Sequence, residues 1–281
     1  MGGIGRFMNW FESIIYGFVS GLADLLPISS EAHQSLLLQL FGESNRDYVR
    51  DLIVHVAILL SVFSGCRVLI DQIRREQNVH RRNRRNTYGA GNQLEMRLLK
   101  NAAFPLVIGL IILSYFVKRQ LDLIWVSILL ILNGLVLFIP ERMMHGNKDE
   151  RAMSIFDSWL LGISGAVSAL TGISRTGAML SVLSARGTSR QKGLNWALLL
   201  SIPALITLIG LDVVNIISGV SAIPFWSNFG GYLLSGIGAY LGGLSGISAI
   251  KLIAQRSGYS GFAFYSWGAA LFTFILYLTV V

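Results

Sequence analysis

Six stretches of the chain are almost continuously apolar for about twenty residues each: 51–71, 98–117, 122–140, 193–213, 229–251 and 260–281. A helix of about 20 apolar residues rises about 30 Å, the thickness of a bilayer's hydrocarbon core. A chain of 281 residues cannot hide six such helices inside a soluble core. Charged residues make up only 14% of it, against about 25% in ordinary soluble domains. The prediction is an all-α polytopic membrane protein.

Two further apolar stretches are broken by polar residues. Asp24, Pro27, Ser29, Ser30, Glu31 and His33 interrupt 9–40; Thr171, Gly172, Ser174, Arg175, Thr176 and Gly177 interrupt 156–186. Each break leaves arms of roughly 12–15 residues, about 20 Å of helix, which is too short to cross. Both are predicted to be re-entrant hairpins that dip in and return to the same side.

The 23 basic residues are unevenly spread over this layout. Nine lie in 67–100, and with that segment inside the cell, 141–157, 186–192 and 251–256 fall on the same side and bring its total to seventeen. Five (Arg6, Arg46, Arg50, Lys118 and Arg119) fall on the opposite side, and Arg175 stays within the membrane. Such a bias orients the chain with both termini outward. The basic run 81–85 sits in a polar loop with no aromatic platform beyond Tyr88, so topogenic charge and anionic-lipid contact account for it without nucleic acid. The single cysteine, Cys66, excludes an intramolecular disulfide. The apolar N-terminal stretch lacks a small-x-small cleavage site and is read as mature protein.

The two broken segments resemble each other. Gly17 matches Gly162, Leu25 matches Leu170, Ile28 matches Ile173 and Ser29 matches Ser174, all at an offset of 145. The predicted domain is one membrane unit in two halves: 1–140 (hairpin 9–40; spans 51–71, 98–117, 122–140) and 141–281 (hairpin 156–186; spans 193–213, 229–251, 260–281). Three spans per half invert the second half relative to the first, so the hairpin tips are predicted to meet near the bilayer midplane.

The tips carry the chemistry. Ser20 and Asp24 lie one turn apart on one face. Ser29 and Ser30 open a new helix after Pro27, where they serve either as caps or as site hydroxyls. His33 follows one turn later. In the second tip, Arg175 inside the membrane needs a partner or a task. It either pairs with Asp24 to join the halves, or binds an anion, most simply phosphate, together with Ser174, Thr176, Gly177 and local backbone N–H groups. His55 is read as packing, Asp212 as interfacial, and Gly236, Gly238, Gly242, Gly243 and Gly246 as a close helix contact.

Ser20-Gly21-(x)2-Asp24-(x)2-Pro27-Ile28-Ser29-Ser30-(x)2-His33, Thr171-Gly172-Ile173-Ser174-Arg175-Thr176-Gly177-Ala178 and the downstream Ser201-Ile202-Pro203-Ala204 together resemble the bacterial undecaprenyl-diphosphate phosphatases along nearly the whole chain. Ser20 stands where that family's first motif has an acidic residue, the shorter Asp24 stands at its second acidic position, and Glu31 occupies a usually small one. The resemblance implies an inverted-repeat fold in the bacterial plasma membrane and removal of one phosphate from a polyprenyl (undecaprenyl) diphosphate in carrier-lipid recycling for the cell wall, at a site open to the outer face.

Under that reading Arg175, Ser174, Thr176, Gly177 and Ser29 bind phosphate. Ser30 is the nucleophile with His33 as general base, or else a water assisted by His33 attacks directly. Asp24 orients His33 or holds Mg2+ or Ca2+, and Glu31 and Glu12 are accessory acids. The expected partners are an isoprenoid lipid diphosphate and the bilayer, with a homodimer left open. The rival reading is a transporter, flippase or non-catalytic binder of a phosphorylated isoprenoid lipid on the same fold.

Overall fold

The computed structural model describes residues 8–43, 46–82, 90–117, 122–142, 153–219, 228–256 and 258–280, without the side chains of 76–82, 90–95, 141 and 280. The basic run 81–85, Tyr88, Arg6, Lys118 and Arg119 therefore lie outside the described side chains. Among the described residues every regular element is a helix.

The first broken segment forms α1 (Trp10–Leu25) and α2 (Ser30–Leu40). Leu26 leaves the helix with extended backbone, as a residue before proline is pushed to do. The second forms α7 (Ile155–Ala166), one 3-10 turn (Val167–Ala169) and α8 (Arg175–Ala185). At 11 to 16 residues, none of these four helices can span.

Both hairpins start alike. Asn9 and Glu12 exchange cap hydrogen bonds of 2.9 and 2.8 Å at α1. Ser154 and Asp157 do the same at 3.2 and 2.8 Å at α7, again 145 positions on. These capping boxes satisfy the free N–H groups of a helix start. Glu12 is thereby corrected from an accessory acid to a cap: α1 begins at Trp10, which puts Glu12 in its first turn, away from the tip.

The six predicted spans are present as helices long and apolar enough to cross: α3 (Tyr48–Gly65), Met96–Phe116 of α5 (Ala90–Phe116), α6 (Leu123–Glu141), α9 (Arg190–Ile217), α10 (Phe229–Arg256) and α11 (Ser260–Val280). The segment 67–100 departs from the expected loop. It holds α4 (Arg67–Arg82) and the start of α5, because its Arg, Glu, Gln and Leu residues are good helix formers. Leu, Ile and Phe side chains stay exposed along α5, α6 and α11, as a lipid-facing surface requires.

Packing pairs α1 with α10, α7 with α5, α3 with α10, α9 with α5, and α6 with α11. Glycines set the closest approach, as the sequence suggested: a Cβ on Gly21 would lie 2.1 Å from the Ala239 carbonyl oxygen, and one on Gly242 2.1 Å from that of Phe18.

Asn133, a fully buried amide in the very apolar α6, joins the two tips to the span bundle. It donates to the Pro27 carbonyl (3.2 Å) and to Ser266 (3.0 Å), and accepts from the Ser174 N–H (2.9 Å). Asn133→Leu would leave two buried backbone groups without partners. A loss of roughly 2–5 kcal/mol is expected, read as a lower midpoint of thermal unfolding in detergent.

Candidate functional site

The hairpin tips meet through a dense set of polar contacts. Ser29 caps α2 by accepting from the Ala32 N–H (3.4 Å), and its hydroxyl also accepts from the Gly172 N–H of the other hairpin (3.2 Å). It adopts φ 66, the only positive φ outside glycine among the described residues. Such a conformation costs of order 1 kcal/mol or more and is held only where surroundings impose it. Gly172 itself sits at φ 133, where a Cβ would also come within 2.4 Å of Leu129. Ser174 caps α8 by accepting from the Gly177 N–H (3.1 Å) and donates to the Leu26 carbonyl (3.2 Å).

Asp24 is the centre of the arrangement. One carboxylate oxygen accepts from Ser30 Oγ (3.1 Å), the other from Arg175 Nη2 (2.5 Å), and its backbone carbonyl accepts from Thr176 Oγ1 (3.2 Å). Arg175 is 4% exposed. Its Nε is buried with no hydrogen-bond partner. The Nε of Arg50 is buried in the same way, but Arg50 is not among the residues that line the pocket between the hairpin tips, whereas Arg175 is.

A pocket opens at this point between the tips. Asp24, Ser29, Ser30 and Glu31 line it from the first hairpin and Ser174 and Arg175 from the second, with Leu110 and Ser114 of α5 and Leu208 of α9 completing the wall. Thr176 and Gly177 are outside this lining. Thr176 is spent on Asp24, and a Cβ on Gly177 would lie 3.1 Å from Pro27 Cβ.

His33 is one turn from Ser29 but does not face Ser30. Its Nδ1 lies 2.8 Å from the Ser29 carbonyl and its Nε2 2.7 Å from the Tyr265 hydroxyl of α11, the two rings stacked 5.7 Å apart. A carbonyl only accepts, so Nδ1 carries the proton, and in the neutral ring Nε2 accepts from Tyr265. The expected contact from Asp24 to His33 is replaced by Asp24 on Ser30. Tyr265 and Asn133 were not singled out in the sequence, although a polar residue within an apolar span is a signal of its own.

Ser20 is fully buried, with its hydroxyl on the Tyr16 carbonyl (2.6 Å). Glu31 reaches Arg46 Nη1 (2.5 Å). Asp212 is corrected from interfacial to buried: α9 runs on to Ile217, which leaves Asp212 inside the helix, 2.6 Å from His55 Nδ1 of α3. Among the described residues no three His, Cys, Asp or Glu side chains converge as a metal site.

Comparison with known proteins agrees with the tip motifs. A family model, Bacitracin resistance protein BacA, matches residues 13–272. The chain belongs to the BacA family. Relatives within it include Undecaprenyl-diphosphatase 1 of Shouchella clausii, 27% identical over 95% of this chain and 96% of that protein. The Undecaprenyl-diphosphatase of Syntrophotalea carbinolica is 27% identical over 92% and 96%, and that of Treponema denticola 29% identical over 92% and 94%. The BacA family model covers both hairpin tips, so the pocket between them lies within the matched region.

Proposed function

We propose that this chain hydrolyses a polyprenyl diphosphate, undecaprenyl diphosphate in the first place, to the monophosphate. The observation that carries the reading is the unpartnered Arg175 Nε beside an Asp24–Ser30 pair, in a pocket built from both hairpin tips. Arg175 binds the phosphates, with Ser29 and Ser174 fixing the tip geometry. Ser30 Oγ attacks the terminal phosphorus, its proton passes to Asp24, and the bridging oxygen leaves on the lipid monophosphate. The base is thus assigned to Asp24, and His33 becomes a positioning residue that holds the tip between the Ser29 carbonyl and Tyr265. Leu110 and Leu208 give the pocket an apolar wall.

A Mg2+ or Ca2+ ion fits only as a companion of the diphosphate, with Asp24 as its protein ligand, since the described residues offer no complete ligand set. There it would neutralise phosphate charge. An inverted repeat is supported by the paired packing of α1 on α10 and α7 on α5, and by capping boxes and tip serines repeated 145 residues apart. The charge bias of seventeen to five supports a pocket and termini facing outward in the bacterial plasma membrane.

The test is phosphate release from undecaprenyl diphosphate by the purified chain, with and without EDTA. Release establishes the hydrolase, and loss of release with EDTA establishes the metal. A chain that releases none, and instead moves the lipid across proteoliposomes, is a transporter on the same fold.

A further inference from the structure

We propose that Glu31 is the second acid of the reaction and that Arg46, from the connection between α2 and α3, is the positioning residue that holds it at the pocket. The inference rests on the phosphatase reading above. Helix α1 brings a single carboxylate to the pocket, Asp24. One turn earlier, Ser20 is sealed from the pocket with its hydroxyl bonded back to the Tyr16 carbonyl. Asp24 is already engaged on both oxygens, by Ser30 and by Arg175. Among the described residues the remaining carboxylate on the pocket wall is Glu31, in the first turn of α2 beside Ser30.

Glu31 is not a free surface acid. Arg46 binds it at 2.5 Å while its Nη2 donates to Gln34 (3.0 Å) and its Nε to Asp51 of α3. Asp51 in turn accepts from the Tyr16 hydroxyl of α1 (3.1 Å). The side chains of Arg46 and Glu31 are 5% and 14% exposed. Burial opposes charge on the Arg46 guanidinium, but Asp51 and Glu31 more than offset it, and its pKa stands well above the ordinary arginine value. A buried ion network of this kind adds little net stability, because desolvation consumes most of the attraction. What it does supply is fixed geometry: a planar fork anchored on two helices leaves the Glu31 carboxylate one position at the pocket edge.

In the second half of the reaction, Glu31 takes a proton from the water that attacks phosphorylated Ser30. The water oxygen bonds to phosphorus, the Ser30 Oγ–phosphorus bond breaks, and Ser30 recovers from Asp24 the proton it gave up in the first half. Phosphate leaves, and Glu31 returns its proton to solvent.

The experiment compares wild type, Glu31→Gln, Arg46→Gln, Arg46→Lys and the Glu31→Gln/Arg46→Gln double variant of the full chain, in detergent with undecaprenyl diphosphate. Glu31→Gln is expected to lower kcat about 100-fold with KM changed less than about threefold. It should also accumulate protein whose intact mass is raised by one phosphoryl group. Arg46→Gln should lower kcat about 10-fold and Arg46→Lys should recover little of it, because an ammonium cannot hold Glu31, Gln34 and Asp51 together as the planar fork does; the double variant should be no slower than Glu31→Gln, because Arg46 acts through Glu31. Glu31→Gln keeps its volume and an acceptor for Arg46, so its result stands whatever the folding of the Arg46 variants. A working wild type with an unimpaired Glu31→Gln variant, or one that accumulates no phosphorylated protein, overturns the role of Glu31. Losses that multiply in the double variant overturn the role of Arg46. A wild type that releases no phosphate overturns the phosphatase reading itself.

Discussion

Arg175→Ala is expected to end phosphate release, with turnover falling by at least about 1,000-fold. Among the described residues Arg175 is the one basic side chain lining the pocket, and its Nε is a buried donor with no hydrogen-bond partner. Its Nη2 also neutralises Asp24 at 2.5 Å, so alanine would leave a buried carboxylate beside the site of a second anion. Breaking such a pair costs about 3–5 kcal/mol, and a fall in the unfolding midpoint should accompany the loss. Arg175→Lys separates the two effects. It keeps a cation for Asp24 but loses the planar fork, so stability should largely return while turnover stays roughly 10- to 100-fold down. Phosphate release and thermal unfolding, measured on the same detergent preparations, check both halves. A folded Arg175→Ala protein within tenfold of wild-type turnover would sink the assignment.

Asp24→Asn is expected to cost about as much, roughly 1,000-fold in kcat, whereas His33→Gln should cost only about tenfold. The difference follows from which group faces Ser30. Asp24 accepts the Ser30 hydroxyl proton at 3.1 Å, while both ring nitrogens of His33 are held elsewhere, by the Ser29 carbonyl and by Tyr265. Glutamine at 33 keeps an amide donor for the Ser29 carbonyl and an acceptor for Tyr265, so the strained tip should survive. Tyr265→Phe then becomes informative: it should resemble His33→Gln if His33 acts by holding the tip. Steady-state kcat and KM for these variants decide the matter, and equal losses from Asp24→Asn and His33→Gln would return the base to His33.

The membrane-spanning elements and the two breaks were legible in the sequence because they rest on local quantities. Twenty apolar residues in a row, a proline that ends a helix, and a serine placed to cap the next one are all visible within a few positions. The same locality explains the misreadings. Glu12 lies on the face of Ser20 by helical spacing, but only the true start of α1 at Trp10 reveals it as a cap. Asp212 looked like a span end until α9 continued past it to Ile217. His33 was expected on Ser30 because it lies within one turn. Helical side chains, however, lean back toward the N-terminus, and that brings Nδ1 onto the Ser29 carbonyl.

By itself, then, the sequence determined a membrane fold with two broken helices, and gathered Asp24, Ser29, Ser30, His33, Ser174, Arg175, Thr176 and Gly177 as candidate site residues. Only the tertiary structure decided how these residues divide the work. Asp24 meets Arg175 across 151 positions and His33 meets Tyr265 across 232, and Asn133 ties both tips to α6. Helical periodicity relates a residue to neighbours three or four positions away. Partners at these separations are set by how closely whole helices can pack, here by glycine contacts between α1 and α10 and by the need to satisfy every polar group buried with them.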